Sequence, residues 1–246
     1  VKFINKSTGL QNNTILSTFV DNANNLWLGL DNGIDYIELN SPLSFIGEGL
    51  GLEGAVYATK IFDGKIFVGT NQGLYVASWP IGVFVDGTKP FRMVPLTKGQ
   101  VWSLFESDGK LYCGHNFGTF IIDKGLNVRL ISPEEGSWMF LPIRSVPDLM
   151  IVGKYKGLHL YSKANGEWRY LKKIAGFNES SRLLVEDDNE SIWMAHGYKG
   201  IFKLMLNQSK DSIRFSTLYD NTRGFPGKFA INVEKIGNQV VFLTSQ

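Results

Sequence analysis

A single phrase, rewritten along the chain, limits what this protein can fold into. It first reads Leu26-Trp27-Leu28-Gly29-Leu30-Asp31-Asn32-Gly33-Ile34. It returns as Ile66–Leu74, Leu111–Thr119, Met150–Leu158 and Ile192–Ile201. A last copy, Val240-Val241-Phe242-Leu243-Thr244-Ser245-Gln246, stops before the second glycine. The first small-residue position falls at Gly29, Gly69, Gly114, Gly153 and Ala195, with Leu243 in the last copy, giving spacings of 40, 45, 39, 42 and 48 residues. A period of about 40–45 residues built from short strands is the signature of propeller blades. No segment holds a 3.6-residue period across three turns, which excludes a helical solenoid.

Each phrase sits inside a larger unit. An apolar run precedes it: Thr14–Val20, Ala55–Phe62, Val101–Glu106, Phe140–Val146, Arg182–Glu186 and Phe229–Lys235. A turn signal separates run from phrase, most plainly Asp63-Gly64 and Asp108-Gly109, the strongest short-range hairpin cue. A third strand follows the second glycine, as in Gly73–Trp79 and Gly157–Ser162. A fourth is expected at Ser44–Ile46, Phe91–Leu96, Val128–Ser132, Trp168–Lys172 and Ile213–Leu218. The expected fold is therefore all-β, a β-propeller of four-stranded antiparallel blades with about six repeat units. The units run over residues 10–48, 52–96, 99–133, 138–173, 180–219 and an incomplete 226–246. Val1–Lys6 reads as an outer strand cut from its own blade, and a chain opening in mid-strand is expected to be part of a larger propeller array. Its alternative is a swapped closure of the last blade, which an outer strand cannot complete because the third strand is also missing.

Composition narrows the partners. A net charge of +2 over 246 residues gives no electrostatic footprint for nucleic acid or an anionic membrane. No apolar run approaches the roughly 18 residues of a membrane span. Cys113 has no second cysteine to pair with and reads as a buried, inert thiol. Residues 79–90 form a long apolar connection that either contacts a neighbour or folds back over its own blade.

In a propeller, the turn between strands two and three lies at the same end as the link that enters strand one. Those segments carry His115, Asn116, Phe117, Lys154, Tyr155, His196 and Tyr198 in the turns, and Trp138 and Arg182 in the links. Aromatic faces beside amide and basic groups suit a sugar, whose C–H surface packs on a ring while polar neighbours fix its hydroxyls. These nine residues are the candidate ligand-binding set. Asn, Asp and Lys are also ordinary turn residues, so each one taken singly also fits a turn role. Asp21, Asp63, Asp108, Asp148 and Asp187 repeat once per blade at the opposite end, spread around a ring; turn chemistry accounts for them, because an acid–base pair must flank one bond. His115, His159 and His196 show no metal-ligand spacing, and no nucleophile elbow or phosphate loop is present. No cofactor, metal or catalytic residue is expected. Trp27 and Trp193 are expected to be core wedges between blades.

Gly9-Leu10-Gln11-Asn12-Asn13-Thr14, the acidic turn at Asp21, and then Trp27-Leu28-Gly29 with Gly33-Ile34 resemble the two-component regulator propeller repeat. The likeness runs through all six units. Phe67, Tyr112 or Ile151 replaces the tryptophan in units two to four, Ala195 replaces a glycine in unit five, and unit six lacks the second glycine. The resemblance implies the periplasmic sensor region of an inner-membrane hybrid histidine kinase or regulator of the Bacteroidetes type, controlling transcription. It implies an oligosaccharide or other small-molecule ligand, and further propeller and β-sandwich domains in the same parent chain. A homodimer through propeller faces is left open. The competing readings are a propeller enzyme, either a lyase or a glycan hydrolase, and a structural interaction module.

Overall fold

The computed structural model describes residues 4–6, 9–41, 46–81 and 88–244. Among them the chain is all-β, arranged as successive antiparallel sheets. Blade one holds β1 (Ile15–Val20), β2 (Leu26–Leu30) and β3 (Ile34–Ile37). Blade two holds β4 (Val56–Phe62), β5 (Lys65–Thr70), β6 (Leu74–Ser78) and β7 (Arg92–Met93). Blade three holds β8 (Val101–Ser107), β9 (Lys110–His115), β10 (Gly118–Ile122) and β11 (Val128–Ser132). Blade four holds β12 (Met139–Pro142), β13 (Leu149–Lys154), β14 (Gly157–Ala164) and β15 (Glu167–Lys173). Blade five holds β16 (Leu183–Glu186), β17 (Ile192–His196), β18 (Gly200–Leu206) and β19 (Ile213–Tyr219); blade six holds β20 (Asn232–Ile236) and β21 (Gln239–Leu243). In every sheet the strands pair in chain order, first to last.

The first strands of blades two to six touch in succession, β4 on β8, β8 on β12, β12 on β16 and β16 on β20. They are the inner strands of a radial array, the arrangement of a β-propeller. The core consists of wedges between blades rather than one central mass. Phe67 and Leu74 meet Val101 and Cys113 between blades two and three. Tyr112 and Ile121 meet Val152 and Tyr161 between three and four. Ile151 and Leu158 meet Met194 and Leu204 between four and five. Ala195 and Ile201 meet Val233 and Phe242 between five and six. Alternate residues of each second strand thus face opposite neighbours, as a period of two requires.

The two glycines of the repeat do different work. A side chain at the first would strike the next blade's inner strand or its entering link: a Cβ on Gly69 would lie 2.4 Å from Val101 Cγ1, on Gly114 2.2 Å from the Ser137 carbonyl, and on Gly153 2.1 Å from the Ser181 carbonyl. The second glycine turns the chain into strand three with positive φ, 94° at Gly33, 137° at Gly118 and 92° at Gly157. The Asp-Gly turns are mirror-type hairpins, with φ of 48° and 67° at Asp63-Gly64 and 51° and 68° at Asp108-Gly109. Asp21 and Asp187 close longer turns. Each accepts two backbone N–H bonds on Oδ1 and the indole N–H of the tryptophan six residues on, Trp27 at 3.0 Å and Trp193 at 2.9 Å.

Several expectations need correction. Residues 1–3 lie outside the described set, and Ile4–Lys6 form no strand. Ile4 instead packs on Leu10, Leu28 and Leu30, while the Leu10 N–H bonds the Asn5 carbonyl. The fourth strand of blade one also falls largely outside, at Ser44 and Phe45, and Ile46 packs beside Leu50 and Leu52. In blade two the fourth strand shrinks to two residues. Phe91 leaves it to join Val68 and Tyr75, and Leu96 has a φ of 66° that no strand sustains. The long connection folds back at its start, where Ile81 packs on that same cluster; residues 82–87 lie outside the described set.

Trp27 is the main correction to the expected core. It is 40% exposed and rests on Tyr36 of its own blade, ring centroids 4.7 Å apart. Its counterpart Trp193 packs on Phe242 of the following blade at 5.0 Å, with the Lys203 ammonium 4.9 Å over the ring. The difference has a physical cause. Val68 and Tyr75 of blade two are packed by Phe91 and by Ile46, Leu50 and Leu52 of the connection between the blades, a cluster to which Trp27 does not belong. Trp193→Ala should therefore cost about 3 kcal/mol and Trp27→Ala about 1 kcal/mol, the scale of its one hydrogen bond. Urea unfolding of the two variants checks this.

Candidate functional site

The rim that holds the turns between strands two and three is stitched by backbone bonds from blade to blade. Gly99 N–H bonds the Gln72 carbonyl at 2.9 Å, Ser137 N–H the His115 carbonyl at 3.1 Å, and Ser181 N–H the Lys154 carbonyl at 2.9 Å. The link entering each blade therefore lies against the preceding blade's turn. At this same end the inner strands are irregular. Pairing passes from Ile15–Leu30 to Ser17–Gly29, from Val56–Thr70 to Ala58–Gly69, and from Val101–His115 to Ser103–Gly114. One residue is extra each time: Leu16, Tyr57 and Trp102. A bulge of this kind re-aims a side chain out of the ladder. In blades four and five pairing begins at Met139–Gly153 and Leu183–Ala195, which puts Trp138 and Arg182 at the equivalent place.

Four of these five residues touch in sequence. The Tyr57 and Trp102 ring centroids are 4.9 Å apart, and those of Trp102 and Trp138 are 4.2 Å apart. The Arg182 guanidinium carbon stands 5.8 Å from the Trp138 ring. Tyr155, from the β13–β14 turn, closes the arc edge-on to Trp138 at 5.4 Å and accepts the Trp102 indole N–H at 3.0 Å. Gly136 makes room for its ring, since a Cβ there would overlap it at 2.1 Å. The Trp138 indole N–H bonds Ser180 Oγ at 3.2 Å. Burial raises the Tyr155 phenol above its ordinary pKa, partly offset by the Trp102 bond and reinforced by Glu135. The phenol thus stays protonated at neutral pH and keeps its hydrogen for donation. The result is an arc of partly exposed rings, ending at a guanidinium with which Trp138 makes a cation–π contact.

The structure places the nine sequence-derived candidates in four groups, Lys154 standing by itself. Trp138, Tyr155 and Arg182 belong to the arc. His115 and His196 are buried and serve their own turns. His115 Nδ1 accepts the Phe117 N–H at 3.1 Å, and His196 Nδ1 accepts the Tyr198 N–H at 3.0 Å. Thr70 Oγ1 does the same for Gln72 in blade two. Burial lowers the pKa of both histidines, so they act as neutral acceptors. Asn116, Phe117 and Tyr198 occupy the tips of those turns, with Phe117 58% and Tyr198 72% exposed.

Lys154 is 1% exposed, and its ammonium lies among oxygens. It donates to the Glu134 carbonyl at 2.6 Å, Ser137 Oγ at 2.9 Å, Thr119 Oγ1 at 3.3 Å and Ser132 Oγ at 3.4 Å. Burial lowers its pKa to about 7 against the pull of Glu134. His159, also buried and facing that charge, is lowered to about 4.

Tyr57 and Trp102 were missed as site residues. Aligning the repeats on the inner strand's first residues would have found them, because the bulge position reads Leu16, Tyr57, Trp102, Trp138, Arg182. The hairpins between that position and the glycine differ in length and hide the correspondence. Among the described residues, no group of three His, Cys, Asp or Glu gathers as a metal set, and no helix is long and apolar enough to cross a membrane.

Fold and rim together define a β-propeller that displays aromatic rings from successive inner strands at one end. No family model matches the chain, and no curated protein does. Solved structures do. The extracellular domain of BT4673 from B. thetaiotaomicron, described in one crystal structure as belonging to a proposed one component system, superposes with a TM-score of 0.61 at 18% identity; the match covers 94% of this chain and 34% of that one. A second structure of that domain, described as from a proposed hybrid two component system, gives 0.59 at 18% identity over 95% and 35%. The extracellular domain of BT3049 of the same organism, described as from a proposed hybrid two component system, gives 0.51 at 17% identity over 99% and 34%. At such identity the likeness shows the fold, and the chain spans about a third of the neighbours' length.

The buried lysine yields a pH test. Its folded pKa of about 7 lies below the unfolded value of 10.5. Between those values the unfolded chain holds the extra proton, so stability rises as pH rises from 7 toward 10.5 and is lowest where the lysine is charged in both states. Wild type should gain stability over that window relative to Lys154→Met, at no more than about 1.4 kcal/mol per pH unit. Denaturant midpoints at stepped pH measure the difference.

Proposed function

We propose that this propeller is the ligand-sensing part of the extracytoplasmic region of a membrane-bound two-component signalling protein, located in the periplasm, and that it binds an oligosaccharide without chemically altering it. The observation that carries the reading is the arc of Tyr57, Trp102 and Trp138, with rings 4–5 Å apart and capped by Arg182. Successive rings offer flat C–H-compatible surfaces for successive sugar units. The Tyr155 hydroxyl and the Arg182 guanidinium supply the directed hydrogen bonds that distinguish one hydroxyl pattern from another. The fold it shares with extracellular domains of hybrid two component systems supports the signalling context. Sequence features supporting this context are the repeats resembling the two-component regulator propeller. The parent is then expected to carry further propeller blades, a β-sandwich, a membrane helix and a histidine kinase that controls transcription.

The test is calorimetric titration of the chain with a panel of linear and branched plant and microbial oligosaccharides. At least one member should bind. Trp138→Ala and Trp102→Ala should each weaken binding by about tenfold or more, in line with loss of roughly 1–2 kcal/mol of ring contact, beside a stability cost of about 1–2 kcal/mol from the lost indole hydrogen bond and ring packing. Failure of every panel member to bind, or product release from any of them, counts against the reading. Product release would favour the enzyme alternative.

A further inference from the structure

Lys154 reaches no ligand surface, yet it joins the two segments that build the arc. It is itself the residue before Tyr155. Its Nζ holds the Glu134 carbonyl at 2.6 Å and Ser137 Oγ at 2.9 Å, on the link that delivers Trp138. It also reaches Thr119 Oγ1 and Ser132 Oγ, at the ends of blade three's outer strands. Thr119 Oγ1 bonds Ser137 Oγ at 2.7 Å and the Tyr161 hydroxyl at 2.8 Å, and the ammonium stands 5.9 Å from the Tyr161 ring. Every partner atom is a neutral oxygen. A buried cation with hydroxyl and carbonyl partners but no carboxylate among them is expensive to keep, and packed apolar replacements are often as stable or more so. The cost is borne where blade three, the entering link and blade four meet, directly behind Trp138 and Tyr155.

We infer that Lys154 is a positioning residue for the aromatic arc: its buried amine clamps the Glu134–Ser137 link to the Tyr155 turn, so that the arc is assembled while the amine is neutral and loosened when it is protonated. A neutral amine meets these partners with two N–H donors and a lone pair that a Ser or Thr hydroxyl can fill, whereas an ammonium carries a charge that none of its neutral oxygen partners balances. The groups facing it are Glu134 on the link and His159 and Tyr161 on β14, with Tyr170 of β15 beside those two rings and Lys173 acting on His159. Burial holds Tyr161 at about 12 and His159 at about 4, so neither changes charge near neutrality, and the lysine alone of this group is placed at about 7. The proton occupancy of one buried amine then sets how well the rim binds. This regulation concerns the site proposed above and rests on that reading, while the clamp itself can be tested without any sugar.

The experiment follows tryptophan emission of the ligand-free chain from pH 5.5 to 9, for wild type, Lys154→Met and Trp138→Phe. Wild type should show a step centred near pH 7 that both variants lose, while Lys154→Met keeps a melting temperature at pH 6 equal to or above wild type. A second variant, Ser137→Ala, removes one acceptor at almost no change in volume and should shift the midpoint of the step. Any panel oligosaccharide that binds wild type should bind more tightly at pH 8 than at pH 6, and about tenfold more weakly to Lys154→Met at pH 8. If no oligosaccharide binds but the emission step behaves as described, the sugar reading fails and the clamp stands. A step that survives in Lys154→Met, an absent step in wild type, or an oligosaccharide bound by Lys154→Met with wild-type affinity and pH dependence overturns the inference.

Discussion

The structure depends on how closely the inner edge of one blade is allowed to approach the second strand of the blade before it. At Gly69, Gly114 and Gly153 the distance left for a side chain is 2.1–2.4 Å from Val101, Ser137 or Ser181, so nothing beyond hydrogen fits. That contact sets the distance between sheets and thus the size of the hydrophobic wedges outside it. It also brings each entering link within hydrogen-bond reach of the previous turn, which produces the backbone stitches at one rim. Larger side chains at these points would push the blades apart along their whole height.

The aromatic arc is a by-product of the same geometry. The inner strand must pass the glycine closely and then rejoin its own ladder, and in the first three blades it does so through an extra residue. The displaced side chain is released from the wedge and turned toward its counterparts in neighbouring blades. Ring contact between Tyr57, Trp102 and Trp138 follows because the two bulges and the residue that precedes blade four's ladder lie at the same height in successive sheets. Behind this layer a buried polar group, built from Thr119, Ser137, Lys154 and Tyr161, takes the place that apolar wedges hold elsewhere.

Much of this was legible before any coordinates. Glycine spacing announced the blades, Asp-Gly announced two hairpins, and the topology of a propeller put Trp138, Tyr155 and Arg182 on one rim. Burial was not legible. His115, Lys154 and His196 all follow the small residue of their strand, a position whose side chain turns inward beneath the turn, and their polarity gave no sign of it. Trp27 misled for the opposite reason: its local pattern matches that of Trp193, but only Trp193 has a Phe242 across from it. A repeat tells what each unit contains and not which neighbour covers it. Strand ends at Phe91 and Leu96 were lost to packing and to a left-handed backbone, neither of which alternation records.

By a bulge in blades one to three, and by a ladder that starts one residue later in blades four and five, one side chain of each stands at the rim outside the wedges between blades. Leu16, Tyr57, Trp102, Trp138 and Arg182 already differ widely in size and charge while sharing one backbone setting. The surface of this rim can change one blade at a time, by single replacements that leave the contacts between blades in place. Chains built this way can therefore differ in the chemistry of one rim long before they differ in shape.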